Sequence, residues 1–278
     1  MMVKTLFRNS IAQILLLTGI SAPERCSRGR FSIVTFHRVL PDADRLAYPF
    51  PGLVVTPDEL DTFLSYFTQH FDCGDLDTQH ERYQSGEITA RPLLAITFDD
   101  AQYDNYKYAR PVLAKYNVKA SFFVPIVAVE RQELLMQIFA ATGLTVKESG
   151  NLVSEVVGAS KELTLESRLK FVASLVEISG TSQTPEFARL MPFGEIRELA
   201  DDGHEIGSHS MTHCLMPECD DRALAYEVAE SRHVLQARLG KSIASFCYPN
   251  VNADVRTAQA VAQADYSRAV TTTQGRSC

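Results

Sequence analysis

Two aspartates stand side by side at the end of an apolar run, in LLAITFDDAQYDNY (residues 93–106), and two histidines, His209 and His213, stand four apart in DDGHEIGSHSMTHCLM. Adjacent carboxylates repel, and at the end of a buried strand they are costly unless a cation or hydrogen-bond donors hold them. Histidines at that spacing place two imidazoles on the same side of a helical turn or tight loop. Two imidazoles and one carboxylate make a site for a first-row divalent metal, with positions left open for water. Water bound there ionises at a pKa of about 7 in place of about 15.7, so hydroxide becomes available at neutral pH. Consecutive strand residues point to opposite sides unless the strand end bends. One aspartate is therefore expected to ligate the metal while the other accepts the proton of the attacking water. Asp201, Asp202 and His204 read as turn residues, with His204 structural.

The elements that must position these residues follow from periodicity. Strand-length apolar runs fall at Phe31–Phe36, Leu93–Phe98, Ala120–Val127, Glu205–Ser208, Ile243–Tyr248 and Arg268–Thr272, with helical segments between them. That alternation argues for an α/β fold with parallel strands. In VTPDELDTFLSYFTQHF, Thr56 and Glu59 form a capping box and Pro57 takes the first helical position. A second helix is expected from near Pro111 to Tyr116, and a third from Asp221 to Leu239, with Leu224, Val228, Val234, Leu235 and Leu239 inward and Gly240 as its stop. Residues 128–190 carry helical apolar spacing and read as a helical insertion in a domain spanning 31–278, with residues 1–30 a separate N-terminal helical segment.

Composition excludes some functions. Asp plus Glu number 34 against 27 Lys plus Arg, for a net charge of -7, and no basic block occurs. Nucleic acid and anionic membrane are therefore poor partners. The apolar run Ile14–Ile20 is too short to cross a bilayer, so no integral membrane span is expected. It reads as a helix covering the barrel of a cytoplasmic protein; the alternative is a weak export signal cleaved near Ala22. The six cysteines are scattered and read mostly as free thiols in a reducing compartment.

The ordered set TFDDAQYDN, ASFFVP, LADDGHEIGSHSMTH, FCYPN and YSRAVTT resembles the polysaccharide deacetylase family, the NodB-homology domain. The upstream IVTFHRVLPD is similar to the first strand of a permuted, exopolysaccharide-deacetylase-like branch, so the resemblance runs over roughly residues 31–275. It implies a distorted (β/α) barrel, here with a helical insertion and a C-terminal end that leaves the barrel incomplete. It also implies that Asp99 is the general base, that Asp100, His209 and His213 ligate a divalent metal, zinc first, and that His37 is the general acid. Ser210 falls where a small hydroxyl braces the histidine loop, and Asn250 where the family offers a backbone N–H to the oxyanion, beside Tyr248 as a substrate contact.

The implied reaction is hydrolysis of the acetamide of an N-acetylated sugar or polysaccharide, with His37 protonating the departing amine. The sequence departs from the family at Cys247, where many members place an arginine that pairs with the base, and at Asn250, where they place an aromatic. It also has Ala101 and Val251 where glycines are usual. With no tryptophan in the chain, sugar stacking would fall to Tyr103, Tyr106 or Tyr248, whose ordinary role is packing. Two other functions use the same residues: hydrolysis of a small amide or imide, or carbohydrate binding with weak turnover.

Overall fold

The computed structural model describes residues 30–48, 50–131, 186–251 and 253–271, with a few isolated positions between 163 and 174. The expected N-terminal segment and most of the expected insertion lie outside the described residues. Among the described residues, no helix is long and apolar enough to cross a membrane.

Among the described residues, seven parallel strands form the main sheet: β1 (Phe31–Phe36), β4 (Asp72–Gly74), β5 (Leu93–Phe98), β6 (Ser121–Val124), β7 (Glu205–Ser208), β8 (Ser245–Cys247) and β9 (Arg268–Val270). Their order is β1-β5-β6-β7-β8-β9, with β4 pairing the first half of β5. Among the described residues β1 and β9 remain as edges, so the sheet they form is an incomplete (β/α) barrel. β2 (Arg38–Val39) and β3 (Val54–Val55) form a separate parallel pair. These two and β4 are too short to leave an apolar run in the sequence.

Side-chain parity decides what each face holds. Phe36, Ile96, Phe98, Phe122, Val124, Ile206 and Phe246 pack into one large buried cluster with the helices. Phe98 stacks between Phe36 and Phe122, at 5.4 Å and 5.0 Å. The alternate residues Ala95, Phe123 and Cys247 form a second cluster on the inner face with Leu76. Polar inner-face residues pair with one another: Thr97 donates to Thr35 at 3.0 Å, and Ser121 and Ser245 both donate to Glu205. Gly207 belongs to this face because a Cβ there would lie 2.4 Å from the Phe123 ring and 3.1 Å from the Ser245 carbonyl.

Local signals account for the helices. Pro57–His70 opens on the expected capping box, with both hydrogen bonds made, and buries Leu60 and Leu64. Such a cap contributes about 1 kcal/mol. The residues from 105 to 115 are helical throughout, but the first turn, Asn105–Ala109, is a π turn and the α-helix is Arg110–Lys115. The expected helix 221–239 is likewise interrupted: Asp221–Ala225 and Ser231–Leu239 flank a π turn, Tyr226–Glu230, and Gly240 ends it at φ 67°. The expected strand 120–127 ends at Val124, because Pro125 cannot donate to the ladder and Ile126–Arg131 is helical.

Candidate active site

Register brings the chemistry together. Phe36 pairs with Phe98, so the next residues, His37 and Asp99, are neighbours at the C-terminal ends of β1 and β5, and Asp99 N–H donates to the Phe36 carbonyl at 3.0 Å. Ser208 pairs with Phe246, which sets His209 beside Cys247 in the same way. His37, Asp99, His209 and Cys247 all continue the inner-face parity of their strands. This end of a parallel sheet is where α/β folds bind ligands.

Asp99 is 1% exposed. Its Oδ2 lies 3.9 Å from His37 Nε2 and accepts from the Cys247 thiol at 3.6 Å, while its Oδ1 is buried without a hydrogen-bond partner among the described residues. Burial raises the pKa of this carboxyl, and the nearby His209 and His37 offset only part of that rise.

Asp100 follows with φ 72° and Ala101 with φ 50°. These consecutive left-handed residues turn the strand end, so the expected opposition of the two aspartates is overcome and both reach His209. A left-handed conformation at Ala101 is also the physical reason a glycine suits that position. The Asp100 Oδ1 stands 3.5 Å from His209 Nε2 and 3.2 Å from His213 Nε2. Burial alone would raise the Asp100 carboxyl, but the two imidazoles outweigh it and hold it well below the usual carboxylate range.

The donor set fits a divalent ion. Asp100, His209 and His213 present ligand atoms within 4.8 Å of one another, and the buried Asp100 Oδ1 lies close to both imidazoles without a well-aligned hydrogen bond among the described residues. His209 Nδ1 is 2.8 Å from the Cys247 carbonyl, to which it donates. That bond sets the tautomer and leaves Nε2, 3.5 Å from Asp100 Oδ1, with its lone pair open to a cation.

The histidine loop is built from buried polar contacts. Ser210 Oγ accepts the His213 N–H at 2.9 Å, the bracing role expected of it, and Ser208 Oγ accepts the Ser210 N–H at 3.2 Å. Ser210 and His213 have φ of 65° and 56°, so the pair sits on a strained loop and not on a helical turn.

Sequence reasoning missed Glu227, which is 5% exposed in the π turn. Its carboxylate accepts the Met211 N–H at 3.0 Å, the Thr212 N–H at 2.9 Å and the Thr212 hydroxyl at 2.6 Å. The signal was an acidic residue between Leu224 and Val228 on an otherwise apolar helix face. Asp104 and Asn105 were also missed. Asp104 accepts from Arg38 Nε at 2.6 Å and Val39 N–H at 2.9 Å, and Asn105 Nδ2 donates to the His37 carbonyl at 3.0 Å. Together they clamp the backbone that carries His37.

The remaining expected contacts divide. Asn250 has φ 57° and a buried side-chain amide, Nδ2, without a partner among the described residues, three residues beyond Cys247. Tyr248 is 5% exposed and packs edge-on to Phe246, so its ring belongs to the core and presents no open face to a sugar. Tyr103 is stacked under the Arg189 guanidinium at 4.1 Å, and the Tyr106 hydroxyl donates to Glu198 at 2.5 Å. His204 is structural: its Nδ1 accepts the Ala120 N–H at 3.1 Å, and burial lowers its pKa to about 4.

The profile of the polysaccharide deacetylase family matches residues 86–269. The fold is similar to that of the deacetylase PplD from Streptococcus pyogenes, with 17% identity, 88% of this chain and 84% of that one covered, and a TM-score of 0.60. It is similar to IcaB from Ammonifex degensii at 18% identity, 85% and 81% coverage and a TM-score of 0.56. The deacetylase domain of BpsB from Bordetella bronchiseptica matches at 17% identity, 88% and 89% coverage and a TM-score of 0.54. No curated protein sequence matches the chain.

Proposed function

The chain belongs to the polysaccharide deacetylase family, and from that premise we propose that it is a metal-dependent hydrolase that removes acetyl groups from N-acetylated sugars or polysaccharides. The observation that carries this reading is the convergence of Asp100, His209 and His213 beside Asp99, a buried carboxylate with one oxygen unpartnered. A divalent ion held by those three residues, zinc first among the candidates, supplies Lewis acidity toward the acetyl carbonyl and lowers the pKa of water.

The chain's own residues do the proton work. Asp99 accepts the proton of the attacking water at its free Oδ1, while the Cys247 thiol occupies Oδ2. Burial makes Asp99 a stronger base than an exposed aspartate, which suits it to the task. His37, whose Nε2 lies 3.9 Å from Asp99 Oδ2, donates a proton to the departing amine, because an amide anion is too poor a leaving group to go unprotonated. His37 lies outside the residues the family profile matches, so its role rests on this distance and on the strand register. The backbone N–H at Asn250 is the donor that the family resemblance offers to the substrate oxygen.

The test is acetate release from N-acetylglucosamine oligomers by the wild type and by Asp99→Asn. Release by the wild type that falls by a factor on the order of a hundred or more in the variant supports the reading. A wild type that releases no acetate from these oligomers while hydrolysing small amides or imides would replace it with that chemistry.

A further inference from the structure

The site contains a second set of metal donors that overlaps the first. Asp99, His209 and Cys247 also present ligand atoms within 4.8 Å of one another, and all three are buried. Asp99 Oδ1 has no hydrogen-bond partner, and the Cys247 Sγ lies 3.6 Å from Asp99 Oδ2. All three residues continue the inner-face parity of β5, β7 and β8, so their side chains converge from three strand ends.

The two sets differ in chemistry and share one residue. Asp100, His209 and His213 offer one oxygen and two nitrogens, a set for zinc or cobalt. Asp99, His209 and Cys247 offer oxygen, nitrogen and sulfur, and a thiolate selects thiophilic ions. The His209 Nδ1 is engaged by the Cys247 carbonyl, so only Nε2 is left to ligate, and one ion at a time can use it.

We propose that Asp99, His209 and Cys247 form an alternative, thiolate-containing site for a soft divalent cation such as Cd²⁺, exclusive of the zinc site through His209. Cation binding breaks the S–H bond, forms a metal–sulfur bond and releases the thiol proton to solvent. Occupancy there takes Asp99 out of its role as base, so soft cations inhibit by displacement. The inference rests on the proposed zinc site only for the competition; the binding itself depends on the second donor set alone.

The test uses the full-length, metal-stripped protein in a Cys214→Ser/Cys219→Ser background, because those two thiols lie 3.4 Å apart and would capture the same ion. Zn²⁺ and Cd²⁺ are titrated separately, with stoichiometry by calorimetry and thiolate-to-cadmium charge transfer read in the ultraviolet. The expected result is a double dissociation. His213→Ala loses far more Zn²⁺ affinity than Cd²⁺ affinity, because cadmium prefers the thiolate more strongly than zinc does, and it keeps one Cd²⁺ and its charge-transfer band. Cys247→Ser keeps Zn²⁺ but loses the band, with Cd²⁺ affinity reduced on the order of a hundredfold, at or beyond the loss caused by removing an outer-shell partner. If His213→Ala abolishes both ions, or if the parent protein binds Cd²⁺ without the band, cadmium uses the histidine pair and the proposal fails while the zinc site stands. If the parent binds Cd²⁺ with the band but binds no Zn²⁺, the second site stands and the metal assignment of the first fails.

Discussion

Removing the Glu227 carboxylate should loosen the proposed metal site from a distance. The carboxylate accepts three hydrogen bonds from Met211 and Thr212, inside the loop that joins His209 to His213. Met211 is 5% and Thr212 8% exposed, so water does not readily replace it. In Glu227→Ala the hydroxyl can rotate toward another acceptor, but two backbone N–H groups cannot. At about 1–3 kcal/mol for each orphaned donor, the variant should lose about 3 kcal/mol after some relaxation. Glu227→Gln keeps an oxygen for the two N–H groups and reverses only the hydroxyl bond, so it should lose about 1 kcal/mol. At roughly 2–4 °C per kcal/mol, the alanine variant should melt roughly 6–12 °C lower. Zinc affinity should fall about 10–100-fold in the alanine variant and less in the glutamine one, as expected when a partner of the ligand loop is lost. Thermal melts of the metal-free protein and zinc titrations by calorimetry separate the two effects. An alanine variant with unchanged melting temperature and zinc affinity would refute the reasoning.

Further perturbations address other parts of the fold and site. Glu205 is half-buried on the inner face between Ser121 and Ser245, and desolvation of its carboxyl raises its pKa from 4.5 to about 7. The fold therefore holds this proton more tightly than the unfolded chain: the contribution is full below pH 4.5, declines as pH rises, and is gone above about pH 7, a change of about 3 kcal/mol at 1.36 kcal/mol per pH unit. Urea melts of wild type and Glu205→Gln should show the variant gaining relative stability between pH 5 and pH 8, and a pH-independent difference would contradict this. Gly207→Ala drives a methyl into the Phe123 ring and should cost about 1–3 kcal/mol, read as a lower urea midpoint; an unchanged midpoint would show that the ring can move aside. His37→Ala should lower kcat for an N-acetyl substrate about a hundredfold or more while leaving bound zinc unchanged, since His37 lies outside the ligand set; unchanged kcat would remove it as the acid.

Much of this site is legible in the sequence because the strands are parallel and buried. LLAITF is buried at every position, so its apolar run survives in the sequence and points directly at Asp99. The Thr56–Glu59 capping box and Gly240 stop were equally visible, being local chemistry. What was not legible depends on backbone turns and long-range contacts. The convergence of Asp99 and Asp100 on His209 needs two left-handed residues, one of them an alanine, which local preference argues against. The Glu227 brace depends on a π turn, whose extra residue shifts the helical phase without a distinct sequence mark. The Asp104 and Asn105 clamp on the His37 segment joins residues distant in sequence, a contact periodicity cannot report. Cys247 was visible as a departure from the family, but its place beside Asp99 required the register of β8.

The most direct test of the central claim is acetate release from N-acetylglucosamine oligomers by protein stripped with a chelator and then restored with one equivalent of Zn²⁺, alongside His209→Ala treated identically. Loss of activity on stripping, recovery on addition of zinc, and no recovery in His209→Ala is the predicted result. Full activity in the stripped protein, or recovery in the histidine variant equal to wild type, would contradict it.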